Sequence, residues 1–166
     1  DYLREDRQPL VLAGVDYYFP IYRGVSRYAP LAPGGVAGNP ERLRPDELHA
    51  RAWPLVEPLF KQARQAARAR WRQLAGTGRT SANLAEILPA VSQGRVETLF
   101  VATDRQQWGT FDDERQELRL CETASAENED LLDRAAASAY LLGGAVYAMN
   151  SAELPDAAPA AAIYRF

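Results

Sequence analysis

The residue types that do chemistry are thinly spread in this chain. His49 is its one histidine and Cys121 its one cysteine. That excludes an internal disulfide, a cysteine-rich metal site and a zinc site built of several histidines. It also excludes Ser–His or Cys–His machinery not built on His49. His49 follows Asp46 by three residues near the start of a helical stretch, with no nucleophile beside it, and reads as a partly exposed structural histidine. Cys121 ends a strand-like run and reads as a small buried apolar residue. Asp112, Asp113 and Glu114 are consecutive carboxylates, but they lack the spaced oxygen ligands and the turn glycine of a calcium loop. A solvated hairpin turn is the expectation there. Gly34–Gly35 is followed by Val36 and forms no G-x-G-x-x-G, so it reads as a connector rather than a nucleotide loop. No catalytic residue, cofactor or metal ligand is expected from these residues.

The charged residues are arranged more suggestively. From Leu59 to Thr80 there is no acid, while Lys61, Arg64, Arg68, Arg70, Arg72 and Arg79 are all basic. Lys61, Arg64, Arg68 and Arg72 recur at spacings of three and four, which places them on one flank of a helix. With Arg79 they are the candidate RNA-binding residues, since guanidinium groups in a row suit phosphates. The alternative is a solvated flank whose arginine stems cover core atoms. Trp71 lies on the apolar stripe and is expected in the core, although next to RNA it would flank a base or sugar. From Thr103 to Asp133 the balance reverses and acids heavily outnumber arginines, giving a surface suited to a basic partner. The domain is thus electrically polar despite a formal net charge of −3.

The elements that must position these residues follow from periodicity and punctuation. With 166 residues, 47% of them apolar, the chain can build one domain, or one plus part of another. Its pI near 5.3 argues against nonspecific affinity for nucleic acid or membranes. No window of about 18 apolar residues exists, so no membrane partner and a cytoplasmic location are expected. Asp1–Gln8 reads as a frayed or linking segment, Pro9–Ala13 as a strand, and Tyr17–Val25 as a helix capped by Asp16 with Pro20 in its first turn. Arg27–Leu31 reads as a short strand, and the Pro- and Gly-rich run Pro30–Pro40 as a loop. A long helix is expected from Pro45 to about Ala75, with the apolar face Trp53, Val56, Phe60, Ala63, Ala67, Trp71 and Leu74. Pro54 and Pro58 predict a kink or break near Trp53–Pro58, which is also the expected domain boundary.

Ser81 is the expected N-cap of the next helix, Leu84, Ile87, Leu88 and Val91 its buried face, and Gly94 its stop. Val96–Ala102, β-branched and apolar, reads as a central strand. Gln107–Phe111 and Glu117–Cys121 read as a hairpin, Asp130–Leu142 as a helix capped by Asn128, and Gly143–Gly144 as its end. Ala145–Met149 and Ala161–Arg165 read as strands, with one turn of helix at Ser151–Leu154. Such alternation predicts a mixed sheet with helices on both faces. The tyrosines Tyr17, Tyr18, Tyr22 and Tyr28 cluster early. The chain starts at Asp1 with a strand almost at once, and so reads as the C-terminal portion of something longer. The tyrosines are then expected to pack on the missing portion, or to form a homo-dimer.

The run Gly94, Arg95, Val96, Glu97, Thr98, Leu99, Phe100, Val101 resembles the Gly-Ala-Val-x-x-Leu-Leu strand in the C-terminal domain of archaeal/eukaryotic class-1 peptide release factors and Pelota. Ala160–Phe166, ending Ala-Ile-Tyr-Arg-Phe, is similar to that family's final strand, and Leu10–Gly14 (LVLAG) to a strand of its middle domain. The order of motifs over most of the chain resembles the bacterial branch of this superfamily. The resemblance implies a three-layer α/β/α sandwich with a mixed sheet over residues 59–166, like that of kink-turn RNA-binding ribosomal proteins. It also implies the tail of an RNase H-like middle domain over residues 1–58. It implies a non-catalytic module binding the ribosome, ribosomal RNA, tRNA or a translation partner such as a translational GTPase, in a role such as ribosome rescue. The family's Gly-Gly-Gln hydrolysis loop does not occur in this sequence, so peptidyl-tRNA hydrolysis is not assigned to it. Two other readings stay open: part of a hydrolase or nuclease whose active loop lies upstream, and a scaffold with no RNA role.

Overall fold

The computed structural model describes residues 8–166; apart from Gln8, the segment read as a linker at Asp1–Gln8 lies outside them. The chain divides into two compact units between Ala63 and Arg64. In the first unit, strand β1 (Leu10–Gly14), helix α1 (Tyr18–Val25) and strand β2 (Leu31–Ala37) form a β-α-β unit. The two strands are parallel, running from Leu10↔Leu31 to Gly14↔Ala37. Pro20 falls in the first turn of α1, but Asp16 is not its cap: Tyr17 holds that position without a side-chain cap bond, and Asp16 Oδ1 accepts only from the adjacent Tyr17 N–H at 2.8 Å.

β2 occupies the run expected to be a loop, and Arg27–Leu31 contributes only its last residue to it. The glycines that suggest a loop are there for close approach instead. A Cβ on Gly34 would sit 2.8 Å from Leu55 Cδ2, and one on Gly35 2.6 Å from Phe19 Cε2. The Arg23 guanidinium fastens the strand from α1, donating to the carbonyls of Ala32 (3.3 Å), Pro33 (2.8 Å) and Gly34 (3.0 Å). α1 buries none of its residues, and Tyr17, Tyr18 and Tyr22 are exposed.

Helix α2 (Pro45–Leu74) runs unbroken through Pro54 and Pro58, so the expected break is absent. The two prolines are exposed and four residues apart. The carbonyls they leave unbonded, those of Ala50 and Pro54, therefore fall on one strip open to water. Trp53 stacks between His49 (centroids 5.8 Å apart) and Phe60 (6.0 Å) along the same helix. Trp53 and Phe60 stay exposed, so this half of the predicted stripe is not core.

The second unit is built on a four-stranded sheet in the order β3-β9-β4-β8, from β3 (Thr80–Ser81), β4 (Val96–Ala102), β8 (Ala145–Met149) and β9 (Ala160–Tyr164). β4 pairs parallel with β8 and antiparallel with β9, and β9 pairs antiparallel with β3. Helix α3 (Leu84–Ser92) is capped by Asn83, whose side chain accepts from the Ala85 N–H at 3.0 Å. Ser81, the expected cap, is instead a strand residue paired with Ala162, and its hydroxyl donates to Glu86 Oε2 at 2.6 Å. Gly94 ends α3 with φ +67, a conformation that only glycine adopts without strain. The N–H of Gly94 and of Arg95 return to the Val91 and Ala90 carbonyls at 2.9 and 2.8 Å.

Helix α4 (Leu131–Leu141) is capped by Asp130, which accepts from the Leu132 N–H at 3.0 Å. Asn128, the expected cap, serves the preceding turn, accepting from the Ser125 N–H at 2.9 Å. The predicted hairpin forms as β5 (Trp108–Asp112) and β6 (Glu117–Leu120). It joins β7 (Glu129–Asp130) in a separate three-stranded sheet, order β6-β5-β7.

Alternate residues of β4 serve two cores. Leu99 and Val101 join Ile87, Leu88 and Val91 of α3 and Leu131, Leu132 and Ala135 of α4. Phe100 and Ala102 join Trp71 of α2, Met149, Leu154 and Ile163. Helices thus cover both faces of the sheet, and the second unit is the expected three-layer α/β/α sandwich. Among the described residues no helix is long and apolar enough to cross a membrane.

The end of β4 is latched to the turn at Ser151–Glu153. Asp104 Oδ1 accepts from the Ser151 N–H at 2.7 Å and Oδ2 from its hydroxyl at 2.8 Å. The Ser151 hydroxyl, then its N–H, hold the Asp104 carboxyl below its ordinary value. A carboxylate depressed in the folded state stabilises it above the unfolded pKa, and that contribution fades as pH falls through the folded value. Asp104→Asn is therefore expected to lower the urea midpoint at neutral pH, with the difference from the parent shrinking as pH falls below the ordinary carboxylate range. A pH-independent difference between the two curves would refute the linkage.

Candidate nucleic-acid interface

The arginine flank of the second unit starts at Arg64. Ala67, Trp71 and Leu74 turn toward the sheet, where Trp71 is buried and the other two pack at the margin of its cluster. That anchoring fixes the helix's rotation, so Arg64, Arg68 and Arg72 lie along one side of the buried stripe. Arg64 makes one long ion pair, Nη1 to Glu153 Oε2 at 3.9 Å. Arg68 and Arg72 make no salt bridge among the described residues; Arg68 is half-buried and Arg72 exposed. Their guanidinium charges are uncompensated next to Gln65 and Gln73, so the flank is positive where it meets water.

The other basic residues of this stretch are employed differently. Arg70 forms a two-pronged pair with Glu97 of β4, Nη1–Oε1 at 2.6 Å and Nη2–Oε2 at 2.9 Å, tying α2 to the sheet. Arg79 donates to the Tyr164 and Arg165 carbonyls at 3.2 and 2.8 Å, so this candidate acts as a clasp on the end of β9. Lys61 belongs to the first unit, where it pairs with Glu57 at 2.9 Å. The structure thus keeps Arg64, Arg68 and Arg72 together as a row and gives Arg79 a structural occupation. A polar arrangement invisible to helix spacing lies on the opposite sheet face. There Arg134 bonds both Asp113, at 2.6 Å, and Glu129, three residues brought together only by the hairpin.

The family model for the bacterial archaeo-eukaryotic release factors, family 3, matches residues 1–95. The chain belongs to that family. The fold of this release-factor relative agrees. The C-terminal domain of a peptide chain release factor from Methanosarcina mazei superposes with TM-score 0.51 at 15% identity, covering 75% of this chain and 97% of that one. Archaeal Pelota, in a ribosome-bound complex with ABCE1, superposes with TM-score 0.50 at 18% identity, covering 96% of this chain and 43% of Pelota. Pelota from Archaeoglobus fulgidus matches with TM-score 0.42 at 20% identity, over 95% of this chain and 48% of that one. The family member described here thus spans under half the length of these Pelota chains. No curated protein matches it. In fold the chain is thus similar to a release-factor C-terminal domain and to Pelota.

Proposed function

We propose that the second unit is a non-catalytic, translation-linked module that holds RNA phosphates along Arg64, Arg68 and Arg72 while its protein works on the ribosome. The observation that carries this reading is the row itself: Arg68 and Arg72 make no ion pair among the described residues, in a domain otherwise rich in carboxylates. Leaving charge uncompensated there costs nothing in water and gains when a phosphate displaces counterions. The ribosome-bound state of archaeal Pelota supports ribosomal RNA as the ligand, with rescue of stalled ribosomes as the role. In the same reading residues 1–58 are the tail of an RNase H-like middle domain and residues 59–166 the C-terminal domain.

Co-sedimentation with ribosomes across a salt series tests the proposal. Arg64→Glu/Arg68→Glu/Arg72→Glu is expected to weaken binding about a hundredfold and to flatten the log–log salt slope by about 2 to 3, with the thermal midpoint unchanged. Parent-like sedimentation of the triple variant would refute it. So would sedimentation of the parent with no response to salt.

A further inference from the structure

On the sheet face away from α2, a groove of about 390 Å³ opens between α3, α4 and the β5–β6 hairpin. Its floor is apolar: Leu88 and Val91 of α3, Phe111 of β5 and Ala135 of α4. Its rim is polar, formed by Ser92, Gln93, Gln116 and Ser138 together with the charged pair Asp113 and Arg134. Gln116 closes the hairpin turn in a left-handed conformation, φ 55, which costs a side-chain-bearing residue free energy. From there its amide donates to Ser92 Oγ at 3.3 Å and to the Asp113 carbonyl at 2.6 Å. It also accepts from Gln93 Nε2 at 3.1 Å. The hairpin is therefore fastened to the end of α3 and overhangs the floor.

The charged wall beside the groove has a definite sign. Arg134 lies over the Phe111 ring, 5.4 Å from its centroid, and its guanidinium is shared by Asp113 and Glu129. One cation between two carboxylates leaves a net negative charge. Glu114, next to Asp113 in the turn, and Asp133, next to Arg134, form no salt bridge among the described residues. An acidic wall repels nucleic acid and anionic lipid. Two helical ridges flanking an apolar floor, with amides and hydroxyls at the edges, suit a peptide: its side chain fills the trough and its backbone groups bond the rim.

We propose that this groove docks a basic peptide segment of a partner protein, which inserts one apolar side chain between α3 and α4. The docking face is separated from the arginine row by the thickness of the sheet, so the module holds RNA on one face and a protein on the other. The proposal does not rest on the RNA reading.

The full chain is titrated by fluorescence anisotropy with three labelled peptides: leucine flanked by lysines, alanine flanked by lysines, and leucine flanked by glutamates. The first is expected to bind at least tenfold more tightly than either of the others. Ser138→Trp and Ser92→Trp fill the trough from α4 and α3, and each is expected to abolish that binding. Glu114→Lys is expected to weaken it several-fold. In all three variants ribosome co-sedimentation stays at the parent value, and the far-UV circular dichroism spectrum stays that of the folded parent. The proposal is overturned if the lysine–leucine peptide fails to bind. Equal binding of the leucine and alanine peptides, or binding unchanged by the tryptophans, overturns it too. Should Ser138→Trp fail to fold, Ser92→Trp, at an exposed position, and Glu114→Lys decide the matter.

Discussion

Phe100→Ala is expected to destabilise the second unit by about 4 kcal/mol. Phe100 is fully buried on the central strand of the sheet and stacks on Tyr147 of the neighbouring strand, ring centroids 5.7 Å apart at 23°. Its other cluster partners include Trp71, Met149 and Ile163. Truncation removes the favourable burial of an aromatic ring and leaves a void that three different elements would have to collapse to fill. β4 is paired on both sides, so the backbone has little freedom to move inward. The layer affected is the one that seats α2, so the arginine row should lose its fixed orientation with the stability. Urea unfolding followed by far-UV circular dichroism gives the size of the effect. A loss below about 1.5 kcal/mol would show that the α2 layer repacks freely.

Gly109→Ala should cost about 3 kcal/mol, although it adds one methyl group. A Cβ at Gly109 would run into the Arg119 carbonyl of the paired strand, and it would sit 2.7 Å from Leu131 Cδ1. The first obstacle is backbone held in the hairpin register Gly109↔Leu120, and the second is a fully buried core side chain. Neither can yield by a simple rotamer change. The strain should open the hairpin before it unfolds the sheet. Hydrogen exchange should therefore accelerate first at the Cys121 N–H, bonded to the Trp108 carbonyl, and the Leu131 N–H, bonded to the Gln107 carbonyl. Uniform acceleration across β4 and β9 would contradict this order. Loss of the hairpin would also remove Asp113 and Gln116 from the peptide groove, so the leucine peptide should lose its binding in the same variant.

How much of this was legible in the sequence depended on whether the signal was local. β4 and β8 were readable to the residue because each is an apolar run that opens just after a helix-ending glycine and closes on polar residues. The α/β/α arrangement followed from the alternation of such runs with helical periods. β2 was not readable, because Pro33, Gly34 and Gly35 carry loop propensity; what makes them a strand is the nearness of Leu55 and Phe19, which the local sequence does not display. The caps went to Asn83 and Asp130 rather than Ser81 and Asn128, since strand pairing and the preceding turn had prior use for the latter pair. Trp53 and Phe60 share a helical stripe with Trp71, and only tertiary contact separates the exposed pair from the buried one. For the candidate interface, spacing was enough to place Arg64, Arg68 and Arg72 in one row of the helix. It could not show that Arg79 is occupied by carbonyls at the end of β9. The groove was out of reach entirely, being assembled from α3, the hairpin and α4.

The strand order β3-β9-β4-β8 has a consequence for the chain during its own synthesis. β9 is made last of the four, yet it lies between β3 and β4 and bonds to both. Until Ala160–Tyr164 emerges, β4 has one partner, β3 has none, and the side chains of β4 lack their lateral neighbours Ala162 in one cluster and Ala161 and Ile163 in the other. The sheet cannot close from the amino end forward. A nascent chain halted anywhere before Ala160 carries an open, apolar strand edge, the kind of surface that chaperones hold and proteases cut. Only a chain that has reached Tyr164 can hide it.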